Sequence, residues 1–563
     1  MKSLRWQLLI VFLALIIIGG LLFSQQSPSP EVASVKPTTG GIYSEALIGA
    51  LGRLNPLFDY YNQADHDVDR MLYCQLIKFD DRGIPEGDLA ESWGISKDGK
   101  VYNFSIRGNA VWHDGQPVTS QDVIFTVESM RADSLLLPED LKALWKQVEL
   151  NSLDDKTLQF RLPEPFAPFL DYLTFGILPK HLLGNTPPAD LANSQFNLRP
   201  LGCGPYRFDH LTAEGGQVDS VVLSANEDYY AGRPFIDQVV FRYYPDSLTA
   251  LAAYQQEDVL GISQITTDIL EPALSETGLN LYTGRLPNLT LIYLNLGKAE
   301  LPFFQEPAIR RALLMGLNRQ RMIDRLMNGQ GVIADGPIFP ATWAYYENIE
   351  RVPYDYENAL KMIKEAGYTI PAEGGDVRTK EGVALAFDLA YADDGINGSL
   401  AESIQQDWAK LGIKVNLKAL PFDELLSAYL EPRTYQAALV TLNLTRTPDP
   451  DPYPFWDQAQ ISGGQNYAQW NDRQASEFLE QARITADIGE RAKAYRNFQV
   501  RFSKDLPALP LFYPVYSYGV NAQVQNVRIG SFTDPSDRFD TLTSWYLVAK
   551  RPLGLDSDLT PTP

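Results

Sequence analysis

Apolar and polar positions alternate twice in the second half of the chain, and a helical pattern lies between the two alternations. Within 383–389 every second residue is apolar, and the same holds within 413–417, which is the period of a half-buried strand. Between them, Ser399 and Glu402 match a capping box that opens a helix, and Gly412 supplies a left-handed stop. A strand, a helix and a second strand in this order predict a βαβ unit with parallel strands.

The same patterns predict further helices and strands along the rest of the chain. They are one continuous helix over 307–327 with Pro307 in its first turn, a helix between Asp355 as N-cap and Gly367 as stop, a strand over 101–115 that ends in a turn, and a helix over 119–130 capped by Thr119 or Ser120. Because helices and strands interleave throughout, the sequence predicts a mixed α/β protein.

The amino-terminal segment predicts the compartment. Lys2 and Arg5 precede a long apolar run, and positive charges stay in the cytoplasm while such a run enters the bilayer. No Ala-x-Ala site and no nearby Cys follows, so two interpretations stay open for residues 1–23, an uncleaved signal-anchor helix or a cleaved signal peptide. Composition predicts a disordered linker over 24–40 and a disordered tail over 550–563. Both interpretations place the body of the protein in the periplasm or on the outer face of the cell membrane, tethered or secreted.

Composition and charge narrow the class of protein further. A length of 563 residues with 45% hydrophobic content predicts more than one lobe. The 70 acidic residues outnumber the 48 basic residues, which gives a net charge of −22 and argues against nucleic acid as a partner. Cys74 and Cys203 are too far apart for a metal-binding knuckle, and either one disulfide or two buried free thiols is compatible with them.

No constellation of residues indicates catalysis. The four histidines occur at no zinc-binding spacing, and the sequence has neither a Gly-x-Ser-x-Gly elbow nor a Gly-rich phosphate loop. The acidic run 65–69 lacks the Gly and the distal Glu of a calcium loop, and we interpret it as a solvated turn at the start of a helix. Pairs of carboxylates for glycoside hydrolysis abound, but nothing selects one pair. The sequence therefore predicts a protein that is not an enzyme and that binds no metal or cofactor.

A series of sequence blocks resembles one protein family, in content and in order. The blocks are LAESWGISKDGKVYNFSIRGNAVWHDGQPVTSQDVIFTVESM, RPLGCGPYRF, NEDYYAGRPFIDQVVFRYYPD, RRALLMGLNRQRMID, ALKMIKEAGY, IQQDWAKLGIKVNL, TPDPDPYPFW and LPALPLFYPVY, and they cover nearly all of 41–549. They are similar to blocks of family 5 bacterial extracellular solute-binding proteins, the dipeptide-, oligopeptide- and nickel-binding components of ABC importers. Cys203 departs from the family pattern, in which Thr or Ser is usual.

The resemblance implies an α/β, two-lobed periplasmic-binding-protein-like fold of class II, of the large peptide-binding type with an extra subdomain in lobe I. Lobe I would comprise 41–286 plus 518–549, and lobe II would comprise 287–517. The chain would cross between the lobes near 286–296 and 510–521. Closure of this hinge would bring ligand contacts from both lobes together, so that the ligand shifts the population towards the closed form.

The resemblance also implies the function and the partners. The chain would be the extracytoplasmic substrate-binding component of an ABC transporter, a monomer that captures a peptide or another small solute and delivers it to permease subunits in the membrane. Its own membrane contact would be confined to the amino-terminal segment. Two alternatives stay open, an extracellular sensor or chaperone-like binding module that is not coupled to import, and an extracellular hydrolase.

The proline-rich loop 442–456 is the most informative stretch for the choice of ligand. Its four prolines exclude a helix or a central strand. In peptide-binding members of the family, the matching loop carries an Asp that pairs with the α-amine of the peptide. When Asp451 and its following proline are aligned on the family Asp-Pro, Pro448 falls at the amine-pairing position and Thr445 near the usual Trp. Asp449 can take over the role with a shift of one or two residues, and otherwise the preference for peptides is in doubt.

Arg446 offers a different chemistry in the same loop. A guanidinium binds a carboxylate or a phosphate through two parallel hydrogen bonds, although an exposed arginine without such a role is an open alternative. Further candidates come from the segments that border the cleft in the family, with structural roles for the Tyr206 bend and the Asn466 turn as alternatives. The candidate ligand-binding residues are Asn55, Tyr61, Tyr206, Asn443, Thr445, Arg446, Asp449, Trp456, Asn466 and Tyr467.

Overall fold

Strands and helices interleave along the whole of the described chain. The computed structural model describes residues 37–80, 82–340, 342–445, 449–530 and 532–548. The strands are β1 (Ile42–Ile48), β2 (Ile77–Phe79), β3 (Pro85–Gly87), β4 (Ala90–Ile95), β5 (Val101–Ile106), β6 (Glu149–Asp154), β7 (Thr157–Arg161), β8 (Tyr206–Glu214), β9 (Gln217–Ala225), β10 (Gln238–Tyr244), β11 (Gly261–Ile262), β12 (Leu279–Arg285), β13 (Asn288–Leu294), β14 (Gly331–Ile333), β15 (Thr379–Lys380), β16 (Val383–Ala384), β17 (Ala386–Ala392), β18 (Lys414–Leu420), β19 (Ala437–Asn443), β20 (Ala508–Asn521), β21 (Val524–Gln525) and β22 (Tyr546–Leu547).

The helices lie between these strands. They are α1 (Gln63–Leu72), α2 (Ser120–Met130), α3 (Glu139–Gln147), α4 (Lys180–Leu183), α5 (Pro188–Leu191), α6 (Ser247–Gln255), α7 (Leu270–Ser275), α8 (Pro307–Met315), α9 (Arg319–Leu326), α10 (Tyr356–Glu365), α11 (Gly395–Lys410), α12 (Phe422–Glu424), α13 (Tyr453–Trp456), α14 (Arg473–Ile484) and α15 (Ile488–Asp505). Short 3₁₀ helices occupy Ala167–Leu173, Gln195–Leu198, Pro302–Gln305, Gln458–Gln460, Pro535–Phe539 and Leu542–Ser544, and a π-helical turn occupies Leu425–Leu430. All of these elements belong to one compact unit, which begins at Gly40.

The largest sheet of the described chain has twelve strands and a long strand at its centre. Its order is β18-β17-β19-β13-β20-β11-β1-β10-β9-β8, and β12 and β14 also pair with β20. The first half of β20 pairs with β13, whereas its second half pairs with β12, so that β20 changes partner near Tyr513. A separate antiparallel sheet has the order β4-β5-β7-β6. Strand β20 therefore belongs to both halves of the main sheet.

The predicted βαβ unit is confirmed, but its helix begins earlier than predicted. β17 and β18 pair in parallel, with α11 between them. The N-cap of α11 is Asp394, whose carboxylate accepts the N–H of Asn397 at 2.8 Å. Ser399, the predicted cap, lies inside the helix and donates its hydroxyl to the carbonyl of Gly395. The capping-box prediction was wrong because Gly395 and its neighbours are helical here rather than part of a turn.

The helix predicted over 307–327 is two helices. Pro307 does begin α8, where its missing N–H costs nothing. The chain then leaves the helix at Gly316, and the side chain of Asn318 accepts the N–H of Arg321 to cap α9. An asparagine cap inside the apolar pattern separates the two helices, and a pattern of period 3.6 does not reveal it. The helix caps predicted at Thr119 and Asp355 are confirmed.

Buried apolar side chains gather into two regions along the chain. Two clusters of the first region draw their members from 43–279 and 516–545. Two clusters of the second region draw theirs from 289–513. We call these the first and the second core region. The boundary between them falls where β12 leads into β13 and where β20 changes partner.

Helix α1 buries the acidic run that the sequence pattern placed in solvent. Asp65, Asp67 and Asp69 expose 1%, 3% and 3% of their surface. Asp65 accepts two backbone N–H groups of the preceding loop at 2.8 and 2.7 Å, and Asp67 forms an ion pair with Arg538. Burial raises the pKa of Asp65 to about 6. The expectation of a solvated turn was wrong, because the partners of these carboxylates come from outside the helix.

The two cysteines form a disulfide between the end of α1 and the loop before β8. The Cα atoms of Cys74 and Cys203 are 5.2 Å apart. The glycines on either side of Cys203 are required by close packing, since a Cβ on Gly202 or Gly204 would collide with the backbone of Leu72. Of the two states left open by the sequence, the structure has the disulfide. No helix of the described residues is long and apolar enough to span a membrane, and the predicted leader 1–23, most of the linker and the tail 550–563 lie outside the described residues.

Candidate functional site

Among the hydrogen bonds that join the first core region to the second, two bring loops of the second region against the first. The backbone N–H of Asp449 donates to the carboxylate Oδ2 of Asp171 at 2.7 Å. The backbone N–H of Trp343 donates to the carbonyl of Arg82 at 3.1 Å. Because each bond uses a backbone group of the second region, these contacts fix its loops against the first region.

The acidic side chains of the proline-rich loop are both held by arginines. Both oxygens of the Asp449 carboxylate accept hydrogen bonds from Arg491, at 2.5 and 2.7 Å. Asp451 accepts from Nε of Arg483 at 2.8 Å, and the same guanidinium lies 5.0 Å from the ring centre of Phe166 in the first core region. Charge-assisted pairs of this kind are geometrically specific, so they fix the positions of Asp449 and Asp451.

A cavity of about 540 Å³ lies in the first core region, beside these contacts. Its volume is within the range of small-molecule sites. Its aromatic lining consists of Tyr60, Phe79, Trp145, Tyr172 and Phe175. Its ionisable lining consists of Asp59, Asp80, Asp140, Asp171, Asp534, Asp537, Asp540, His66, Arg70, Lys78 and Arg528. Carboxylates outnumber basic side chains in this wall, and aromatic rings provide its apolar surface.

Several of these charges are already paired. Arg70 donates to Asp540 at 2.7 Å and lies 3.4 Å from Asp537. His66 lies 2.7 Å from Asp59. In contrast, Lys78 and Arg528 form no ion pair within the described residues. The cavity wall thus contains two basic side chains, Lys78 and Arg528, that form no ion pair within the described residues, together with an excess of carboxylates.

Asp171 belongs both to the cavity wall and to the contact between the core regions. It lies at the end of the 3₁₀ helix Ala167–Leu173 and is 8% exposed. Burial, together with the neighbouring Asp449, raises the pKa of Asp171 well above its ordinary value. The charge of Asp171 therefore affects both the cavity and the contact between the core regions.

A second, much smaller cavity of about 50 Å³ adjoins the first. Both cavities are lined by Asp80 and Thr533. The small one is also lined by Arg82 of the first core region and by Pro337, Leu442 and Trp456 of the second. The two cavities therefore form one candidate site, which extends from the first core region to the proline-rich loop.

Three of the predicted ligand-binding residues are buried within the fold. Asn55 donates to the side chain of Asn197 at 2.9 Å. The hydroxyl of Tyr206 donates to the carbonyl of Ile236, and burial raises the pKa of this tyrosine. Asn466 donates to two carbonyls and accepts one N–H. None of the three lines either cavity.

The other predicted residues are dispersed around the site. Asp449 and Trp456 line the small cavity, although Asp449 is paired with Arg491 as described above. Asn443 accepts hydrogen bonds from its neighbour Thr445, and neither residue lines a cavity. The remaining predicted residues have these positions: Tyr61 is 66% exposed beside the ring of Tyr60, Tyr467 lies under the guanidinium of Arg433, and Arg446 lies outside the described residues.

The sequence patterns did not point to Asp171, Trp145 or Tyr172. They occur in segments without a recognisable motif, and only the fold brings them to one cavity. The aromatic richness of the chain was the one available signal, since aromatic residues are common in the walls of ligand sites. Within the described residues, no three metal-ligating side chains converge as a metal site requires.

The match to a family model covers most of the chain. Residues 85–466 match the model of bacterial extracellular solute-binding proteins, family 5 middle. The oligopeptide-binding protein AppA of Bacillus subtilis is 28% identical over 504 residues, which are 86% of this chain and 88% of AppA. The dipeptide-binding protein of Escherichia coli is 26% identical over 493 residues, which are 82% of this chain and 87% of that protein.

Comparison with solved structures gives the same result for the fold. The structure of AppA from Bacillus subtilis in complex with a nonapeptide superposes with a TM-score of 0.67 and 25% sequence identity, over 91% of this chain and 100% of that one. The chain belongs to the family 5 bacterial extracellular solute-binding proteins, and it has their two-lobed, mixed α/β fold. The predicted family and fold class are confirmed.

Proposed function

We propose that this chain is the peptide-binding component of an ABC importer. The observation that carries the proposal is the cavity of about 540 Å³ that meets the contact between the core regions at Asp171. The names of the relatives, an oligopeptide-binding and a dipeptide-binding protein, support peptides as the class of ligand. Capture of a solute in this cleft requires no covalent step.

The two core regions correspond to the two lobes in this proposal, apart from Tyr516, whose side chain packs in the first core region. Lobe I is 41–286 plus 518–549, and lobe II is 287–517. The hinge lies where the chain passes from β12 into β13 and where β20 changes partner, since both crossings are adjacent there. Rotation about these two short segments opens the cleft, and closure restores the contact between Asp171 and Asp449.

The ligand lies in the joined cavities, between the aromatic wall of lobe I and the proline-rich loop of lobe II. Tyr60, Trp145 and Tyr172 provide apolar surface for side chains. Lys78 and Arg528 are available for the carboxylate of a peptide. Asn55, Tyr206 and Asn466 have structural roles in this proposal, because their polar groups are used inside the fold.

The partners and the location follow from the family. Permease subunits in the membrane recognise the closed form of the monomer and receive the peptide from it. The protein acts outside the cytoplasm, and its leader 1–23 either anchors it to the membrane or is removed. Intact mass of the protein purified from the membrane and from the medium distinguishes these two fates.

A binding screen tests the proposal directly. Peptides of two to nine residues, sugars and nickel–histidine complexes are added to the purified protein, and thermal unfolding is followed. A bound ligand at a hundredfold excess over its Kd stabilises the folded state by about 2.7 kcal/mol. We expect stabilisation by peptides, accompanied by a smaller radius of gyration in small-angle scattering. Stabilisation only by sugars or by nickel complexes would contradict a peptide ligand.

A further inference from the structure

Three carboxylates and two guanidiniums meet where lobe I touches the proline-rich loop. Arg491 binds both oxygens of Asp449, and Arg483 binds Asp451. Each of these two arginines is matched to one acid, which leaves Asp171 without one. Among the described residues of this contact, the acidic groups therefore outnumber the cations by one.

The surplus carboxyl group faces a cavity in which it has no cationic partner. Asp171 is 92% buried and lines the large cavity. Within the described residues, no Lys, Arg or His nitrogen lies within 4.0 Å of its carboxylate, and the one hydrogen bond to that carboxylate comes from the backbone N–H of Asp449. A buried carboxylate gains strongly from a positive partner, and a cationic ligand in the cavity would supply one.

The surroundings of Asp171 suit a cation. Trp145, Tyr172 and Phe175 line the same cavity, and the faces of aromatic rings attract ammonium and guanidinium groups. A carboxylate combined with aromatic rings is selective for organic cations, since it provides both charge and apolar contact. Neutral solutes of the same size use only the apolar part of this wall.

We propose that Asp171 binds the cationic group of the ligand, an ammonium or a guanidinium, and that this pairing specifies a positively charged substrate. The inference rests on the proposed function as far as the ligand is a peptide. The α-amine of a peptide and the side chain of a Lys or Arg residue share the required chemistry. Because Asp171 also accepts the N–H of Asp449, the cation is bound next to the contact that forms when the lobes close.

Calorimetric titration of four tripeptide probes tests this assignment. Trialanine has only the α-amine, its N-acetyl form has no cation, N-acetyl-Ala-Lys-Ala has only the side-chain cation, and N-acetyl-Ala-norleucine-Ala is its neutral counterpart. Each is titrated into the wild-type protein, into Asp171→Asn and into Asp209→Asn. Asparagine keeps an oxygen for the N–H of Asp449, and Asp209 is an exposed acid on β8 whose only ion-pair partner in the described residues is His210.

We expect Asp171→Asn to weaken binding of one or both cationic probes by about 10- to 100-fold, which is the usual effect of losing one charged hydrogen bond. Binding of the neutral probes should change little, and Asp209→Asn should behave as wild type. Weaker binding of trialanine shows that Asp171 pairs with the α-amine. Weaker binding of the lysine probe shows that it pairs with the side-chain ammonium. An equal loss for charged and neutral probes, or no loss for either, overturns the assignment.

Failure of the proposed function is distinguishable from failure of this inference. If the wild-type protein binds cationic and neutral peptides equally, peptide binding stands and the role of Asp171 is wrong. If no peptide binds, agmatine and spermidine are titrated as non-peptide cations. Binding of either that is lost in Asp171→Asn retains the inference without a peptide ligand, and absence of binding rejects both.

Discussion

The guanidinium of Arg538 donates two hydrogen bonds to one carboxylate oxygen of Glu45, at 2.8 and 2.9 Å, and both side chains are fully buried. Two further hydrogen bonds run from the same guanidinium to Asp67 on α1, and the hydroxyl of Tyr43 donates to the other oxygen of Glu45. The segment that follows β20 is thereby fixed to β1 and to α1.

Replacing Arg538 by Met should destabilise the protein severely. Glu45 and Asp67 would remain buried without their cation, and breaking such a pair costs about 3–5 kcal/mol. Urea unfolding measures this loss. As a control, Lys493→Met removes an ion pair with Glu490 that is exposed on both sides, and this should cost no more than about 1 kcal/mol. A similar small loss for Arg538→Met would mean that water reaches the buried acids. The triple variant that also carries Glu45→Gln and Asp67→Asn should recover part of the stability.

Removal of the disulfide should destabilise the protein by about 4 kcal/mol, because the bond closes a long loop in the unfolded chain. Cys74 and Cys203 are 129 residues apart in the sequence. The double variant Cys74→Ser, Cys203→Ser is compared with wild type in urea, with and without reductant. Reductant should destabilise only the wild type. Labelling of the unfolded, unreduced wild type by a thiol reagent would show that the bond is absent.

Two substitutions separate the observed cap of α11 from the predicted one. Asp394→Ala removes the side chain that accepts the N–H of Asn397 and should cost about 1 kcal/mol. Ser399→Ala removes only a hydroxyl that binds a carbonyl within the helix, and a change within about 0.5 kcal/mol is expected for such a position. Thermal unfolding of both variants gives the comparison. The reverse order of the two losses would place the start of the helix at Ser399.

These two residues also illustrate what the sequence could predict about the fold. Alternation predicted β17 and β18 correctly, because a half-buried parallel strand imposes its period on the sequence. The start of α11 was not predictable in the same way. Asp394 and Ser399 are both residue types that cap helices, and the glycine that follows Asp394 suggested a turn. Only the packing of the helix against the sheet decides between them.

The candidate site was less predictable than the fold, because its groups come from distant parts of the sequence. Composition alone predicted that the proline-rich loop is functional. The prediction that its prolines exclude a helix was wrong at its end, where Tyr453–Trp456 forms α13 with prolines only at its cap and in its first turn. The pairing of Asp449 with Arg491, which lies 42 residues later, was not recognisable from composition. Asp171 has no motif around it, and its importance arises from a contact with a residue 278 positions away. Pairings over such distances leave no trace in the spacing of one sequence.

Acid should destabilise the protein through His113. Its Nδ1 accepts the N–H of Gly202 at 3.2 Å, and its Nε2 donates to the carbonyl of Gly204 at 3.1 Å. The ring is therefore neutral in the folded state, and burial lowers its pKa from 6.5 to about 4. Between these values the unfolded chain binds a proton that the folded protein does not, so stability falls as the pH is lowered from 6.5 to 4.

The contribution of His113 over this range is about 2–3 kcal/mol. Urea unfolding at several pH values should show a shallower pH dependence for His113→Gln than for wild type. His210 is more than half exposed, and His210→Gln serves as the matched control with an unchanged profile. Identical profiles for wild type and His113→Gln would contradict the assigned neutral ring.

The role proposed for Asp171 predicts that removing its carboxylate increases the free energy of unfolding. Burial beside Asp449 raises its pKa, with Asp451 adding to the effect and Arg491 and the N–H of Asp449 opposing it. Above the ordinary pKa of an Asp, the folded protein holds a proton that the unfolded chain has released, so that its stability falls as the pH rises. Asparagine does not titrate, and Asp171→Asn should therefore become increasingly more stable than wild type as the pH increases from 4 to 8.

Urea unfolding of the ligand-free protein at pH 4, 6 and 8 measures this difference. At pH 4 wild-type Asp171 is protonated and resembles Asn, so the two proteins should unfold together, whereas at pH 8 the variant should require more urea. A group that is kept for binding at a cost in stability shows this pattern. A difference that is the same at all three pH values would mean that the carboxylate is solvated or already paired, and the ligand would then have no unmatched charge to neutralise.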